Sequence, residues 1–146
     1  MREIKFRGLR TDGKGYVYGY IYKHEPPLVC FGGEQELPAF AILSTGFADW
    51  NMPRPIEQHE VIGDSIGQFT GLQDKNGVDI YEGDIIEHDD FTNGACLGFK
   101  QYKNISTVRI SNLFNGISLK GLPASIVTHL KLEVIGNIYQ NPELLR

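Results

Sequence analysis

What this chain of 146 residues lacks narrows it first. It holds two cysteines, Cys30 and Cys96, too few for the disulfide framework of a small secreted domain. One bridge between them is open on counting alone, and two reduced thiols fit the composition better. No run of about 18 apolar residues occurs, and the opening Met1-Arg-Glu-Ile-Lys-Phe-Arg7 has no apolar signal core. Both absences predict a soluble cytoplasmic protein with no membrane association. Stretches free of glycine and proline are scarce, the longest being Phe99–Asn115 and Ala124–Ile135. A helix averages about 11–12 residues, and an interior glycine costs it about 1 kcal/mol, which excludes an all-helical bundle. There is no G-x-G-x-x-G or P-loop pattern for a nucleotide. His24, His59, His88 and His129 are scattered, without Cys-x-x-Cys or His-x-x-x-His spacing for a metal. No cofactor is expected.

What the chain has is glycine: 17 in 146 residues, against an average near 7%. The glycines punctuate short alternating segments, the pattern of strands joined by turns. Ile4 and Phe6 alternate with Lys5 and Arg7. After a turn at Thr11-Asp-Gly-Lys-Gly15, Tyr16-Val-Tyr-Gly-Tyr-Ile-Tyr22 puts four tyrosines on one face and Val17, Gly19 and Ile21 on the other. This reads as an N-terminal hairpin. Residues 24–58 hold five of the seven prolines; Leu28–Phe31 and Ala39–Leu43 read as strands, and Thr45–Gln58, with Trp50, as a long loop. Further extended segments follow at Glu60–Gly63, Ile66–Thr70, Val78–Tyr81 and Asp84–Glu87. Asn76-Gly77 and Asn115-Gly116 are the strongest hairpin signals, since both turn positions tolerate positive φ. Ile126–Ile135 fits strand and helix periods alike, and strand is preferred. Asn141-Pro-Glu-Leu-Leu145 predicts a brief helical turn capped by Asn141, with Pro142 first.

The net charge of −4 conceals blocks: +4 over residues 1–24, −3 over 25–56, −9 over 57–90, +5 over 91–132 and −1 over 133–146. Such blocks mark either a binding face or basic strands paired beside acidic ones.

Three short patterns point to chemistry and fail on context. Gly63-Asp-Ser-Ile-Gly67 matches the nucleophile elbow, which needs a strand before it and a helix after it; the following Gln68-Phe-Thr-Gly71 reads as turn or strand, so Ser65 is a weak hydrolase candidate. Asp74, Asn76, Asp79 and Glu82 have the composition of a calcium loop, but the glycine and the last glutamate stand at the wrong positions. Glu87-His-Asp-Asp90 reads as an acidic solvated loop rather than a ligand set.

The segment from Ile66 to Ile86 resembles the signature of the YopX family, found in bacteriophages and prophages. The match runs through Gly67, Gln68, Thr70, Gly71 and Leu72, the turn Asp74-Lys-Asn76-Gly77, and Ile80, Tyr81, Glu82, Gly83 and Asp84. Glu133-Val-Ile-Gly136-Asn137 through Leu145 is similar to the family's C-terminal signature. Arg2–Arg7 and Tyr16–Gly19 match its opening. The resemblance implies one small, mainly β, phage-encoded YopX-like domain over residues 1–146, without an established biochemical role or known catalytic residues. The signature residues read physically as turn and strand formers. A Gly-Asp-Ile-Ile step such as Gly83–Ile86 is common where a strand enters a small SH3-like barrel.

The expected fold is therefore mainly β, a small barrel or twisted antiparallel sheets with long loops and little helix. The expected function is a non-enzymatic protein-interaction module that forms a homo-oligomer or contacts a phage or host protein. Its surface is Tyr16, Tyr18, Tyr20 and Tyr22, with Lys5 and Arg7 beside them. These tyrosines pack in a core or an interface, where the residue type is enriched. The alternative is a nucleic-acid-binding accessory protein that stacks bases on the basic, tyrosine-rich hairpin.

Overall fold

The computed structural model describes residues 3–25, 39–47, 49, 54–89, 103–111, 116–119 and 131–145. Cys30, Cys96, Trp50, the segment Leu28–Phe31, residues 126–130 and Asn115 lie outside them. Among the described residues there are ten strands, all paired antiparallel, two short 3-10 turns and no α-helix. The sheets are open and do not close into a barrel, so of the two expected forms twisted antiparallel sheets is the one observed. The chain divides into two compact units, residues 3–68 and residues 69–146 together with 1–2.

In the first unit, strands β1 (Phe6–Leu9), β2 (Tyr16–His24), β3 (Ala39–Thr45) and β4 (Ile56–Val61) lie in the order β4-β3-β2-β1. The beginning of β5 (Gly67–Gln73) pairs with β1, with Phe6 opposite Gln68 and Arg7 opposite Gly67. Two boundaries differ from expectation. The first strand begins at Phe6 and leaves Ile4 exposed. The supposed loop from Thr45 to Gln58 is shorter, because Ile56, Glu57 and Gln58 pair with Thr45, Ser44 and Leu43.

Strand β2 changes partner midway. Tyr16–Gly19 pair with β1, and Tyr20–His24 pair with β3. At the change the backbone of β3 comes so close that a Cβ on Gly19 would sit 2.0 Å from the Leu43 carbonyl oxygen. Only glycine fits there. Ala41, Ile42 and Val61 are buried apolar residues of this unit. Gly8 lies against Val61, and a Cβ on Gly8 would be 2.8 Å from that of Val61.

In the second unit, β6 (Asp79–Tyr81) pairs with β5. A four-stranded sheet follows the order β10-β7-β8-β9, built from β7 (Asp84–Asp89), β8 (Lys103–Ser111), β9 (Gly116–Leu119) and β10 (Glu133–Asn137). Ile80, Ile86, Val108 and Leu132 form its core, with Leu72 and Val134 packed against them. The hairpin expected around Asn115-Gly116 exists as β8–β9, with Ser111 opposite Gly116, so Gly116 opens the returning strand. The preferred strand within Ile126–Ile135 is present from Glu133 onward. The C-terminal turn is a 3-10 turn over Pro142–Leu145, as the Asn141-Pro142 start predicts.

Glycine substitutions separate steric from conformational constraints. Gly19→Ala must displace a backbone carbonyl and is expected to lower unfolding free energy by about 2–4 kcal/mol in urea titrations. Gly77 has a φ of 81° with open space around it; Gly77→Ala is expected to cost about 1 kcal/mol through backbone strain alone.

Candidate functional site

The expected surface lies on β2. Paired residues of neighbouring strands share a face. Tyr20, Leu43 and Gln58 are therefore in one row, and Tyr22, Ala41 and Glu60 in the next. Alternation places Tyr18, Thr45 and Ile56 on the same side. Tyr18, Tyr20 and Tyr22 are 52%, 67% and 45% exposed, so within a single chain they are not core residues. Tyr16 is half-buried beneath Arg7, whose guanidinium lies 4.8 Å from its ring centre.

The partner change in β2 produces a concavity on this unit. Tyr18, Gly19, Tyr20, Leu43, Ser44, Thr45 and Ile56 enclose a groove of about 400 Å³. Two tyrosines and the aliphatic Leu43 and Ile56 are among its lining residues, with Gly19 between the tyrosines. Sequence reasoning found the tyrosines but missed Leu43, Thr45 and Ile56, because their meeting depends on the β2–β3–β4 register.

The cations expected beside the tyrosines are largely committed elsewhere. Arg7 is buried. Lys5 pairs with Glu3 at 3.7 Å, Lys14 with Asp12 at 3.7 Å and Lys23 with Glu25 at 2.9 Å. Arg10 grips the same Asp12 with two side-chain hydrogen bonds. Arg10 holds the Asp12 carboxyl below its usual range, and Lys23 does the same to Glu25.

The other candidates are built into the scaffold. Ser65 lies in a 3-10 turn over Gly63–Ser65, followed by strand rather than helix. Its buried hydroxyl donates to the Ile62 carbonyl at 2.6 Å and accepts the Leu9 N–H at 2.8 Å. The supposed elbow thus ties this turn to β1. Among the described residues no group of three or more His, Cys, Asp or Glu is placed to hold a metal. Buried His88 is hydrogen-bonded to Ser106 at 3.0 Å.

Of the signature residues, Gly67 and Gln68 pair with β1 in the first unit, and those from Thr70 onward meet within the second. Thr70, Gly71 and Leu72 form a bulge between the pairs Phe69–Tyr81 and Gln73–Asp79. Gly71 takes a φ of 84° there, and the Thr70 hydroxyl donates to the Ile80 carbonyl at 2.7 Å. Asp74-Lys-Asn-Gly77 closes the β5–β6 hairpin, with the Gly77 N–H donating to the Asp74 carbonyl at 3.0 Å. Gly77 takes positive φ just after the turn, so Asn76-Gly77 is not the expected two-residue turn. Buried Asp84 accepts the Tyr81 N–H at 2.7 Å across the turn at Glu82-Gly83. Gly83, with a φ of 84°, receives the Ile138 N–H on its carbonyl and gives its own N–H to the Val108 carbonyl. Ile85 and Asp84 pair with Gly136 and Asn137. A Cβ on Gly136 would lie 2.7 Å from the Asn141 Oδ1, and the Asn137 Oδ1 accepts the N–H groups of Tyr139 and Gln140.

Asp74 joins these segments. Its Oδ1 accepts the N–H groups of Asn76 and Val78 at 2.7 and 2.9 Å, and its Oδ2 accepts the Val134 N–H at 3.2 Å. Burial pushes this carboxyl up, but the N–H groups of Val78, Val134 and Asn76 outweigh it and hold the group below the usual carboxylate range.

A family model described as YopX protein matches residues 41–146. Among solved structures, the crystal structure of protein EF1440 from Enterococcus faecalis is similar over 100% of both chains, at 24% identity and a TM-score of 0.56. That likeness is one of fold. No curated protein matches the chain.

The direction at Asp74 fixes a pH dependence. Its folded-state value lies below the unfolded one, so its stabilisation is complete above about pH 4 and is lost as the pH falls through the folded value. Asp74→Asn is expected to lose about 1–3 kcal/mol at neutral pH and to flatten the acid limb of stability against pH. Urea titrations from pH 7 to pH 3 measure both.

Proposed function

The chain belongs to the YopX family, and on that footing we propose that it works as a non-enzymatic protein-interaction module that self-associates through the tyrosine face of β2. The observation that carries this reading is the exposure of Tyr18, Tyr20 and Tyr22 on one face of β2, the first two lining an apolar groove. Tyrosine-rich surfaces poor in charge are the composition of protein interface cores. Across these rows the charged residues are Glu60 and Arg7, which stands opposite Tyr18 on β1 and is buried. The setting of the reading is a phage or prophage protein in the cytoplasm of a bacterial cell, with a phage or host protein as a further partner. No helix among the described residues is long and apolar enough to cross a membrane.

The aligned rings also suit a second reading, stacking of single-stranded bases, since side chains two residues apart on a strand stand about 6.8 Å from each other. It ranks second because Arg7 is buried and the neighbouring lysines have carboxylate partners, leaving little to neutralise phosphates.

Sedimentation equilibrium tests the first reading. The parent chain is expected to associate at micromolar concentration, and Tyr20→Glu to weaken association at least about tenfold without changing unfolding, because Tyr20 is exposed. A parent that stays monomeric, or a variant that associates equally well, overturns it. Salt-sensitive binding of single-stranded DNA that weakens when Lys5 and Arg7 are changed together is the result that favours the second reading instead.

A further inference from the structure

We propose that the groove between Tyr18 and Tyr20 is filled by Phe47 of a second copy of this chain, each copy giving a knob and receiving one. This deepens the reading of the tyrosine face as a self-association surface and rests on it.

Phe47 is 91% exposed, the most exposed of the large hydrophobic residues among those described. A phenylalanine held in water forgoes the stabilisation that burial of its ring supplies. It is also held in place. The Gly46 N–H donates to the Pro55 carbonyl at 2.9 Å, extending the β3–β4 ladder by one pair. Gly46 is packed so closely that a Cβ there would be 2.5 Å from the Glu57 carboxylate and 3.0 Å from the Pro55 ring. Phe47 therefore leaves the end of β3 from a fixed base rather than from the middle of a long free loop.

Two residues before it, Thr45 already lines the groove, as does Ile56 across the ladder. The ring is open to water while the same unit carries an apolar groove of about 400 Å³, ample for a phenyl group. Knob and groove belong to the same unit, and Thr45 of the groove is two residues from the knob. Two copies related by a two-fold axis satisfy both at once, the arrangement that an isologous interface requires.

Charge favours the same occupant. Phe47 itself and the groove walls Tyr18, Tyr20, Leu43 and Ile56 carry no charge, and the ionised group packed against Gly46, the Glu57 carboxylate, stands 3.4 Å from His59. A basic peptide or a nucleic-acid backbone would find no carboxylate or cation among the groove's lining residues.

The test uses the full chain and two measurements. In sedimentation equilibrium, Phe47→Ser is expected to raise the dimer dissociation constant about 100-fold, because a symmetric dimer loses two knobs. Its thermal unfolding below the dissociation constant should match the parent, since the ring makes little contact within its own chain. The photoreactive analogue p-benzoylphenylalanine, placed at position 47 of the full chain, is expected to crosslink between copies to Tyr18, Tyr20, Leu43 or Ile56, as read by mass spectrometry of mixed light and heavy protein. A parent that dimerises and is dispersed by Tyr20→Glu, yet is untouched by Phe47→Ser, overturns the knob and leaves the tyrosine face standing. Crosslinks between copies that fall outside the groove do the same. A parent that is monomeric throughout removes both.

Discussion

The second unit depends on one carboxylate. Asp74 stands between the hairpin that follows β5 and the start of β10, and its two oxygens accept backbone N–H groups from both sides. The next residue repeats the link: the Lys75 N–H donates to the Leu132 carbonyl, and its ammonium pairs with Glu133 at 2.6 Å. Segments 60 residues apart in sequence are thus fixed in one register. Register matters here because a slip of one residue would turn Val134 away from Ile86 and Val108. A carboxylate serves better than an amide, since it offers acceptors only and every group facing it is a donor. The direction of its titration expresses the same preference.

Two irregularities complete that arrangement. The bulge at Thr70–Leu72 and the register shift at Ile135 lie on strands flanking the β6–β7 turn. Bulges bend and twist a strand. Gly71 supplies the positive φ that the first needs, and the Thr70 hydroxyl takes up a carbonyl that the interrupted ladder leaves over. The family signature is in large part a record of these backbone demands. Its polar members Thr70, Asp74, Asp84 and Asn137 are buried and hydrogen-bonded to main chain.

Strand positions were legible in the sequence wherever alternation met a glycine turn, as at Tyr16–Tyr22 and Val78–Ile86. The hairpin at Asp74–Gly77 and the turn after Asn141 were legible too, because each rests on local chemistry. The role of Asp74 was not, since its decisive partner is the Val134 N–H, far along the chain. The charge blocks were visible as numbers, and the sheet explains part of them: acidic β7 pairs with β8, whose charged residues are basic, and Asp89 stands opposite Lys103 in the register. The N-terminal block looked like a cationic patch, yet its lysines and Arg10 are answered by Glu3, Asp12 and Glu25 within a few residues. Net charge over a block counts ions without asking how near each stands to its opposite.

The tyrosine row shows a different limit. Four tyrosines alternating on a strand define a face, and the face alone does not say whether anything covers it. That is decided by where β2 leaves one partner for another. Up to Gly19 the strand runs beside β1, and from Tyr20 it runs beside β3. Had β2 kept one partner throughout, Tyr18 and Tyr20 would stand on a continuous flat ladder with no cleft between them. The change brings the Leu43 carbonyl against Gly19, and the groove at this point is lined also by Thr45 of β3 and Ile56 of β4. Glycine at position 19 permits that close approach, because a side chain there would collide with the Leu43 carbonyl. Its neighbours can stay apolar and exposed because the ladder beneath them, rather than their own burial, holds them in place.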